Sequence, residues 1–248
     1  MRLTKDVELI EGLPLAYIRS LRAIVASDLH LGYESHMAKN GVFVPKVNLK
    51  KIISDFSKGL DGRKVERIIV VGDIKNDFSS VEMDEFNELY EIIKFCKDHG
   101  LELLLIKGNH DNFIDRYRDP FKIKVFAGDA YIDGYLFSHG DKLPKIDGKP
   151  IMLITGHEHP TIGIANSAGR IERVRCFLSG KYDKTSLLVL PAVSYFASGS
   201  DINSASKERL LSPILKRADV DKMHAIALGY GSTIDFGTVG QLRKLAYV

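Results

Sequence analysis

The sequence predicts an α/β fold built on two β-sheets. From residue 23 to residue 106, short apolar runs alternate with segments whose apolar residues recur at helical spacing, an order typical of a parallel sheet. After residue 125 helical spacing becomes rare, and short apolar runs separated by turn residues favour a mostly antiparallel second sheet. A chain of 248 residues is long enough for one α/β domain, so we expect residues 1–248 to form a single domain.

Apolar spacing and turn residues place the elements of the first half. Ala23–Ala26, Arg67–Val71 and Leu103–Ile106 are short, largely apolar runs, as expected for strands buried on both faces. Val47–Leu60 is a predicted helix because its apolar residues fall on one helical face. The other elements predicted here are a hairpin of Val7–Ile10 and Leu15–Ile18, and a helix from a capping box of Ser79 and Glu82 to Gly100.

The second half is predicted to contain mainly short strands. Asp133 and Gly134 divide Tyr131–Phe137 into the two arms of a predicted hairpin. Ser212 and Pro213 are the residue types of an N-cap and a first helical position, which predicts a short helix to about Ala218. The remaining predicted strands are Ile151–Ile154, Thr161–Ala165, Ile171–Leu178, Ser186–Val193 and Ala225–Leu228, and we expect Gly229–Gly240 to form hairpin turns.

Chemically active side chains follow five of the predicted strands. The five segments are Asp28-Leu29-His30, Gly72-Asp73, Gly108-Asn109-His110-Asp111, Ser138-His139-Gly140-Asp141 and Gly156-His157-Glu158-His159. Ligands of open α/β sheets bind in the crevice beyond the carboxyl ends of the strands, so these segments are placed to meet there. Any one of them could be a polar turn with an incidental histidine, but chance rarely aligns five strand ends in this way.

The residue types favour a metal site. Carboxylate, amide oxygen and imidazole together suit Mn²⁺, Fe, Ni²⁺, Co²⁺ or Zn²⁺ in expanded coordination. No thiolate belongs to the set, which disfavours a structural zinc site of the cysteine type. The two cysteines, Cys96 and Cys176, are too few for a disulfide framework, and we expect two buried thiols.

The ordered set of motifs resembles the calcineurin-like metallophosphoesterase superfamily, with matching residues between 28 and 159. Ser27-Asp28-Leu29-His30-Leu31-Gly32-Tyr33-Glu34, Gly156–Pro160 and Leu190-Pro191-Ala192 further resemble a subgroup of prokaryotic phosphoesterases related to SbcD, the nuclease subunit of a DNA double-strand-break complex. The resemblance implies a sandwich of two mixed sheets flanked by helices, with the metal site at the C-terminal ends of strands.

The resemblance also implies which residues hold the metals. Asp28, His30 and His159 would bind one divalent ion, and Asn109, His139 and His157 would bind a second, while Asp73 would bridge both ions. Such a pair, about 3.5–4 Å apart, clamps a phosphate and lowers the pKa of a bound water, so that hydroxide can attack phosphorus in line. We expect Mn²⁺ first, with Fe, Ni²⁺, Co²⁺ or Zn²⁺ as alternatives.

Two residues of the Gly-Asn-His-Asp segment are the candidate catalytic pair. His110 directly follows a predicted ligand and is placed to give a proton to the leaving alkoxide. Asp111 is the candidate to orient the imidazole ring of His110. The alternative for His110 is a structural hydrogen bond without a part in the reaction.

Basic residues surround the last metal motif. The net charge of the whole chain is only +3, whereas residues 142–184 hold eight Lys or Arg against four acids. This window could bind the phosphates of a nucleic acid, or it could be an ordinary solvated surface. The candidate phosphate-binding residues are Lys142, Lys145, Arg170, Arg173, Arg175 and Lys181.

The chain shows no signal for secretion or membrane insertion. Its first residues lack the apolar core of a signal peptide, and no run approaches the roughly 18 apolar residues of a membrane span. We therefore expect a cytoplasmic protein.

Three functional hypotheses follow. The favoured one is a dinuclear phosphoesterase that hydrolyses phosphodiesters, with DNA or RNA as substrate. The second is a small-molecule or nucleotide phosphodiesterase or phosphatase, and the third is a non-catalytic scaffold.

The sequence also departs from some relatives. Protein phosphatases carry Asp-Arg shortly after Gly-Asp, but here Ile74-Lys75-Asn76-Asp77 follows Asp73, which disfavours a phosphoprotein substrate. Recombination nucleases are also longer, so nuclease action is inferred from kinship. The residues identify no ATPase or helicase partner and no oligomeric state.

Overall fold

The computed structural model describes residues 1–77, 83–165, 169–229 and 231–245, and its centre is a pair of facing β-sheets. The first sheet contains, in spatial order, β1 (Val7–Leu9), β2 (Ala16–Ile18), β3 (Ala23–Ala26), β4 (Arg67–Val71), β5 (Glu102–Ile106) and β6 (Lys124–Phe126). Strands β1, β2 and β3 are antiparallel, while β3 to β6 run parallel. The predicted parallel arrangement of β3, β4 and β5 is therefore confirmed.

The second sheet is mixed. Its strands are β7 (Ala130–Ile132), β8 (Tyr135–Phe137), β9 (Met152–Thr155), β10 (Pro160–Ala165), β11 (Ile171–Tyr182), β12 (Thr185–Val189), β13 (Ser200–Asp201), β14 (His224–Gly229) and β15 (Ser232–Thr238). Strand β9 runs parallel to β8 and β12, and β10 runs parallel to β13, whereas the other pairs are antiparallel. Strand β11 pairs with β10 over its first half and with β12 and β14 over its second half.

Helices cover the outer faces of both sheets. They are α1 (Tyr33–Lys39), α2 (Asn48–Leu60), α3 (Met83–Asp98), α4 (Arg118–Phe121), α5 (Pro213–Arg217) and α6 (Val239–Leu245). The apolar residues of α2 and α3 pack on the first sheet, and those of α5 and α6 pack on the second. Among the described residues, no helix is both long and apolar enough to cross a membrane.

Alternate residues of the central strands enter different cores. In β4, Ile68 and Val70 pack against the helices, while Ile69 and Val71 pack between the two sheets. Successive side chains of a strand point to opposite faces, so a strand covered on both sides needs apolar residues at every position. This double burial explains the continuous apolar runs, and it fixes the register of each strand that delivers a polar residue at its end.

Most predicted elements are present, with several differences. Ser212 caps α5 by accepting a hydrogen bond from the backbone amide of Ile214, as the sequence predicts. Both cysteines are buried free thiols. The predicted hairpin is present as β14 and β15, but Gly229–Gly240 also contains the whole strand β15 and the start of α6, which were not predicted. The capping box predicted for residues 79 and 82 lies outside the described residues.

The sequence analysis did not predict α1, α4, α6, β6 or β13. These are short elements of two to seven residues, and such lengths give too few repeats for a helical or alternating pattern to be recognised. Tertiary contacts, such as the pairing of β6 with β5 and of β13 with β10, determine their positions instead.

Candidate metal centre

The five motif segments meet at one edge of the sandwich. As predicted, β4, β8 and β9 end directly before their segments, and β3 and β5 end one residue before theirs. The two sheets contribute to the same cluster, since His139 Nε2 after β8 lies 3.2 Å from Asp73 Oδ2 after β4. The cluster therefore lies across the seam between the sheets.

One half of the cluster is formed by Asp28, His30 and His159, which are buried or nearly so. His159 Nε2 lies 3.1 Å from Asp28 Oδ1, and His30 Nε2 lies 3.4 Å from His159 Nε2. Potential ligand atoms of all three residues lie within 4.8 Å of one another, which is close enough for a single ion to contact them all.

The other half is formed by Asp73, Asn109, His139 and His157. His139 Nε2 is surrounded by Asp73 Oδ2 at 3.2 Å, Asn109 Oδ1 at 3.1 Å and His157 Nδ1 at 3.2 Å. Asp73 also forms a compact donor group with His30 and His110. The carboxylate of Asp73 thus lies between the two halves.

The tautomers of two rings show that this donor set fits a cation. His139 Nδ1 lies 3.1 Å from Val71 O and His159 Nδ1 lies 3.0 Å from Ser198 O. A carbonyl only accepts hydrogen bonds, so each Nδ1 carries a proton and Nε2 faces the carboxylate oxygens of Asp73 or Asp28. A second proton on Nε2 satisfies each carboxylate, and a divalent cation between the atoms would take the place of that proton. Oxygen and imidazole donors suit the divalent metals named above.

Charges inside the cluster shift its pKa values strongly. Burial alone would raise the pKa of Asp28, but the neighbouring His159, His139 and His30 outweigh it and lower that pKa. Burial lowers the pKa of His139, yet its hydrogen bond with Asp73 and the charge of that carboxylate raise it to about 10. For His30, burial dominates and lowers the pKa to about 4. Asp28 is therefore ionised at neutral pH, as a ligand to a cation must be.

The ligand segments have an unusual backbone. Five candidate ligands have φ angles in the left-handed region: Asp28 (57°), His30 (45°), Asp73 (49°), His157 (67°) and His159 (47°). Side-chain-bearing residues adopt this region at a cost of roughly 1–3 kcal/mol each, and such residues cluster at functional sites. Each segment leaves its strand by a sharp turn that aims the side chain across the seam.

Glycines in the motifs leave no room for a side chain. A Cβ on Gly156 would lie 1.7 Å from Ser27 Oγ and 2.6 Å from Asp28 Oδ2, while one on Gly108 would lie 2.3 Å from Asp73 Oδ1. The carboxylates of the cluster are therefore packed directly against the backbone of the neighbouring segments. Any larger residue at these positions must displace a candidate ligand.

His110 lies beside Asp73 with its ring held by the backbone. His110 Nδ1 lies 2.7 Å from Asn76 O and donates to it, which leaves Nε2 facing the cluster at 3.8 Å from Asp73 Oδ2. The sequence analysis missed Asn76 in this role because a backbone carbonyl has no residue-specific signal.

Asp111 does not orient His110, which corrects the expectation from the sequence. Its fully buried carboxylate accepts hydrogen bonds from the backbone amides of Ile74 at 2.9 Å, Lys75 at 3.1 Å and Gly108 at 2.8 Å. Burial and the charge of Asp73 raise the pKa of Asp111 to about 6. The three amides occupy the two carboxylate oxygens, so Asp111 joins the segments after β4 and β5 and fixes their separation.

Polar residues that the sequence analysis did not single out support the Asp28 half. Asn48 at the start of α2 donates from Nδ2 to the carbonyls of Leu29 and His30. Ser27 Oγ donates to Val71 O, 2.8 Å away, and lies 2.6 Å from Asp28 Oδ2. A lone asparagine at a helix start and a serine beside a motif carry no pattern, so only the folded contacts assign them this role.

Glu34 and Tyr33 take up defined supporting positions. Glu34 Oε1 accepts hydrogen bonds from the amides of Val47 and Asn48, which satisfies donors at the start of α2. The ring of Tyr33 stacks on that of Phe196, with centroids 5.2 Å apart and planes 8° apart. Helix α1 thus connects the first motif to α2 and to the segment after β12.

Glu158 joins the last motif to the segment before α5. Its buried carboxylate accepts hydrogen bonds from Leu211 N at 2.9 Å and Ser212 N at 2.7 Å. Ser212 Oγ in turn donates to Gly140 O, 2.9 Å away. The position of Glu158 between two candidate ligands was the available sequence signal, although it gave no indication of the partner.

Lys142 and Lys145 are the two predicted phosphate-binding residues beside the cluster. They line a cavity of about 740 Å³ together with Lys107, Asn109 and His139. Lys142 Nζ is 3.5 Å from Asp141 Oδ2, and its side chain is 86% exposed, which makes this ion pair weak. Both lysines are therefore available to a ligand that enters from this side.

Arg175 and Lys181 do not take part in such a surface, which corrects the sequence analysis. Arg175 is largely buried, and its guanidinium donates to the carbonyls of Ala192 and Val193. Lys181 pairs with Ser186 in the sheet, and Ser186 pairs with Met152 at the start of β9. Because His157 follows the other end of β9, Lys181 lies at the far edge of the sheet.

Arg170 and Arg173 belong to the hairpin of β10 and β11. Arg173 Nε forms an ion pair with Asp201 Oδ2 at 2.8 Å, and both arginines are exposed. Arg175 pairs with Thr161, two residues after His159, so this hairpin leaves the sheet at the edge that carries the cluster. Its cations are near that edge but are not part of the cleft beside Asn109.

A family model for calcineurin-like phosphoesterases matches residues 21–199. The chain belongs to this family. It is accordingly a metal-dependent hydrolase of phosphoester bonds, and the predicted superfamily resemblance is confirmed. The match covers all seven candidate ligands, His110 and Asp111, whereas the subgroup related to SbcD stays a prediction.

Solved structures with a similar fold include the Pseudomonas putida nuclease MPE, with a TM-score of 0.63 and 19% sequence identity over 92% of this chain and 93% of that chain. A further match is Yfce, a phosphoesterase from E. coli, with a TM-score of 0.42 and 13% identity over 87% and 98% of the two chains. A search of curated protein sequences found no match. The nuclease structure and this chain share their fold over nearly their whole lengths.

We predict that Gly156→Ala lowers the affinity for divalent metal by about 10- to 100-fold, the range seen when partners behind metal ligands are changed. The added methyl group must displace Ser27 or Asp28. Metal titration followed by fluorescence or calorimetry would measure the change. The matched control is Gly229→Ala, whose Cβ meets no atom within 4 Å. Unchanged metal affinity in Gly156→Ala would contradict the packing described for this segment.

Proposed function

We propose that the protein is a dinuclear metal-dependent phosphodiesterase that acts on nucleic acid. The observation that carries the dinuclear assignment is the position of Asp73, which shares one compact donor group with His30 and another with His139 and His157. We propose Asp28, His30 and His159 as ligands of one ion, Asn109, His139 and His157 as ligands of the other, and Asp73 as the bridge. The mixture of oxygen and nitrogen donors supports Mn²⁺ as the native ion.

The protein side chains organise this centre before any substrate binds. When bound, a pair of divalent ions polarises the phosphoryl oxygens and lowers the pKa of water enough to supply a nucleophile near neutral pH. The chain contributes a rigid frame, because Ser27, Asn48, Asp111 and Glu158 each hold a ligand segment through buried hydrogen bonds. Such preorganisation means that the site does not have to rearrange as charge develops on the phosphate.

His110 is the proposed general acid. Because Asn76 O accepts the proton of Nδ1, a protonated His110 presents its second N–H from Nε2 toward the cluster. The proton on Nε2 can transfer to the oxygen of the leaving group as the bond between that oxygen and phosphorus breaks. Nε2 of His110 lies 3.8 Å from Oδ2 of Asp73, so the proton it donates starts beside the proposed bridging carboxylate.

A nucleic-acid substrate is supported by the cations beside the cluster and by kinship of fold. Lys142 and Lys145 border the cavity next to Asn109 and His139, together with Asp129, Asp141 and Asp147. Both lysine side chains are exposed and can reach phosphates that flank the reacting one. The structurally similar protein from Pseudomonas putida is described as a nuclease. We therefore favour a polymeric phosphodiester over a single nucleotide as the substrate.

For the metals, we predict that chelator treatment abolishes hydrolysis of bis-p-nitrophenyl phosphate and that Mn²⁺ restores it best among common divalent ions. Asp73→Asn should be the most damaging ligand substitution, because this carboxylate is proposed to hold both ions. Elemental analysis of protein saturated with Mn²⁺ should give two ions per chain. A maximum of one ion in excess Mn²⁺ would refute the dinuclear assignment.

For the general acid, we predict that His110→Ala lowers turnover by roughly 10²- to 10⁴-fold on esters with poor leaving groups and leaves the metal content unchanged. The loss should shrink on p-nitrophenyl esters, whose leaving group barely needs a proton. Steady-state kinetics on a matched series of leaving groups would test this. His99→Ala is the control, since His99 lies at the end of α3. Equal losses across the series would assign His110 a binding or structural role.

For the substrate, we predict that binding of single-stranded DNA weakens steeply with salt and that a Lys142→Ala, Lys145→Ala double variant flattens this dependence. The log–log slope should change by roughly 0.7 for each phosphate that the variant no longer neutralises. Fluorescence anisotropy over a salt series measures the slope, with a Lys181→Ala, Lys184→Ala double variant at the far edge as control. A wild-type protein without DNA affinity at low salt would favour the small-nucleotide hypothesis.

A further inference from the structure

An aromatic surface borders the Asp28 half of the metal centre. It consists of Tyr33 on α1 and of Tyr195 and Phe196 in the segment between β12 and β13. The ring of Phe196 stacks on Tyr33, and the ring of Tyr195 meets Phe196 edge-on, with centroids 5.2 Å apart and planes 86° apart. The three rings thus form one continuous cluster, which we call the aromatic wall.

The aromatic wall is fixed to the candidate ligands at both of its ends. Ser194 N, directly before the wall, donates to Asp28 O at 3.1 Å, and Ser198 O, two residues after it, accepts from His159 Nδ1 at 3.0 Å. Consecutive Cα atoms are about 3.8 Å apart, so the Cα of Tyr195 lies within roughly 8 Å of the Asp28 carbonyl. The backbone of the wall follows the edge of the metal centre.

Asn48 fixes the register of Tyr195 relative to the first motif. Its Oδ1 accepts a hydrogen bond from Tyr195 N at 2.8 Å, while its Nδ2 donates to Leu29 O and His30 O. Asn48 itself is fully buried. One buried side chain therefore holds Tyr195 and His30 in a fixed relation, which is the rigidity that a specificity-determining contact requires.

The ring of Tyr195 remains open to solvent despite this rigid mounting. Tyr195 is 55% exposed, although Asn48 and Ser194 behind it are completely buried. A tyrosine that served only to pack the segment would bury its ring, since burial of an aromatic side chain is favourable. An exposed ring on a fixed backbone position beside the metal centre instead offers a flat apolar face to a ligand.

Lysine side chains lie beside the wall and beside the metal centre. Lys51 Nζ lies 5.9 Å from the centroid of the Tyr195 ring, and Lys142 and Lys145 border the cavity on the opposite half of the centre. Proteins that bind single strands combine cations for the backbone with aromatic rings on which bases stack.

We propose that Tyr195 stacks against an unpaired base of the substrate, next to the phosphodiester that is cleaved at the metal centre. This assignment rests on the proposed nuclease function and adds a specificity determinant to it. Bases within a duplex have both faces covered by neighbouring pairs, so Tyr195 accepts a base from a single strand, a loop or a frayed end. The enzyme then distinguishes unpaired from paired nucleic acid through a residue that holds no metal.

The experiment compares two oligonucleotides of equal length and charge, one with natural bases and one with abasic sites around the cleaved position. The wild-type holoenzyme with Mn²⁺ should show a higher kcat/KM on the base-bearing strand, by about 5- to 150-fold per stacked base. Tyr195→Ala should remove this preference and Tyr195→Phe should retain it. A 2-aminopurine base at the stacking position should lose fluorescence on binding to the wild type and to Tyr195→Phe only.

Controls separate this proposal from the nuclease function itself. Metal content and thermal unfolding verify that Tyr195→Ala is folded, and Phe236→Ala, a partly exposed aromatic residue on β15, should keep the wild-type preference. Equal cleavage of both oligonucleotides by the wild type would overturn the stacking role and leave the nuclease function intact. An unaltered preference in Tyr195→Ala would also overturn it. Cleavage of neither oligonucleotide would overturn the nuclease function.

Discussion

The buried carboxylate of Asp28 is the interaction on which the rest of the structure depends. A buried charge costs several kcal/mol unless hydrogen bonds and opposite charges compensate it, and here the compensation comes from both sheets. His157 N and His159 Nε2 approach the carboxylate from the second sheet, and the Asp28 carbonyl accepts from Ser194 N. The carboxylate of Asp28 therefore holds the last motif against the first, and its backbone carbonyl holds the segment after β12. Substrate selection by Tyr195 would use the same attachment.

The sequence revealed the candidate ligands because they follow strands whose double burial makes them easy to recognise. The proximity of Asp28 and Asp73 was predictable from strand ends alone, since β3 and β4 run parallel and deliver their carboxyl ends to one edge. Arg175 and Lys181 were misplaced because their roles depend on the register of β11, which no local pattern specifies. Proximity to His159 in sequence did not predict proximity in space. The first half of β11 pairs with β10 and the second half pairs with β12, so the two halves lie toward opposite edges of the sheet.

Asp111 illustrates a second limit of prediction. Its place beside His110 suggested a hydrogen bond between the two side chains, yet the turn after β5 directs its carboxylate inward to three amides. Neighbours in sequence often point apart in a tight turn, and only the backbone angles decide the direction. The left-handed residues of the ligand segments reflect the same constraint: the fold accepts strained turns, since sharp reversals aim the side chains across the seam.

The hydrogen bonds of Glu158 couple the metal centre to a distant part of the chain. Through Leu211 and Ser212, Glu158 attaches the start of α5 to the segment that carries His157 and His159, and Ser212 continues this attachment to Gly140 beside His139. Thermodynamic linkage is reciprocal. If the attachment of α5 raises the affinity of these segments for metal, bound metal stabilises the attached state of α5 by the same free energy. We therefore expect metal binding to slow hydrogen exchange and proteolysis at α5, although α5 contains none of the candidate ligands.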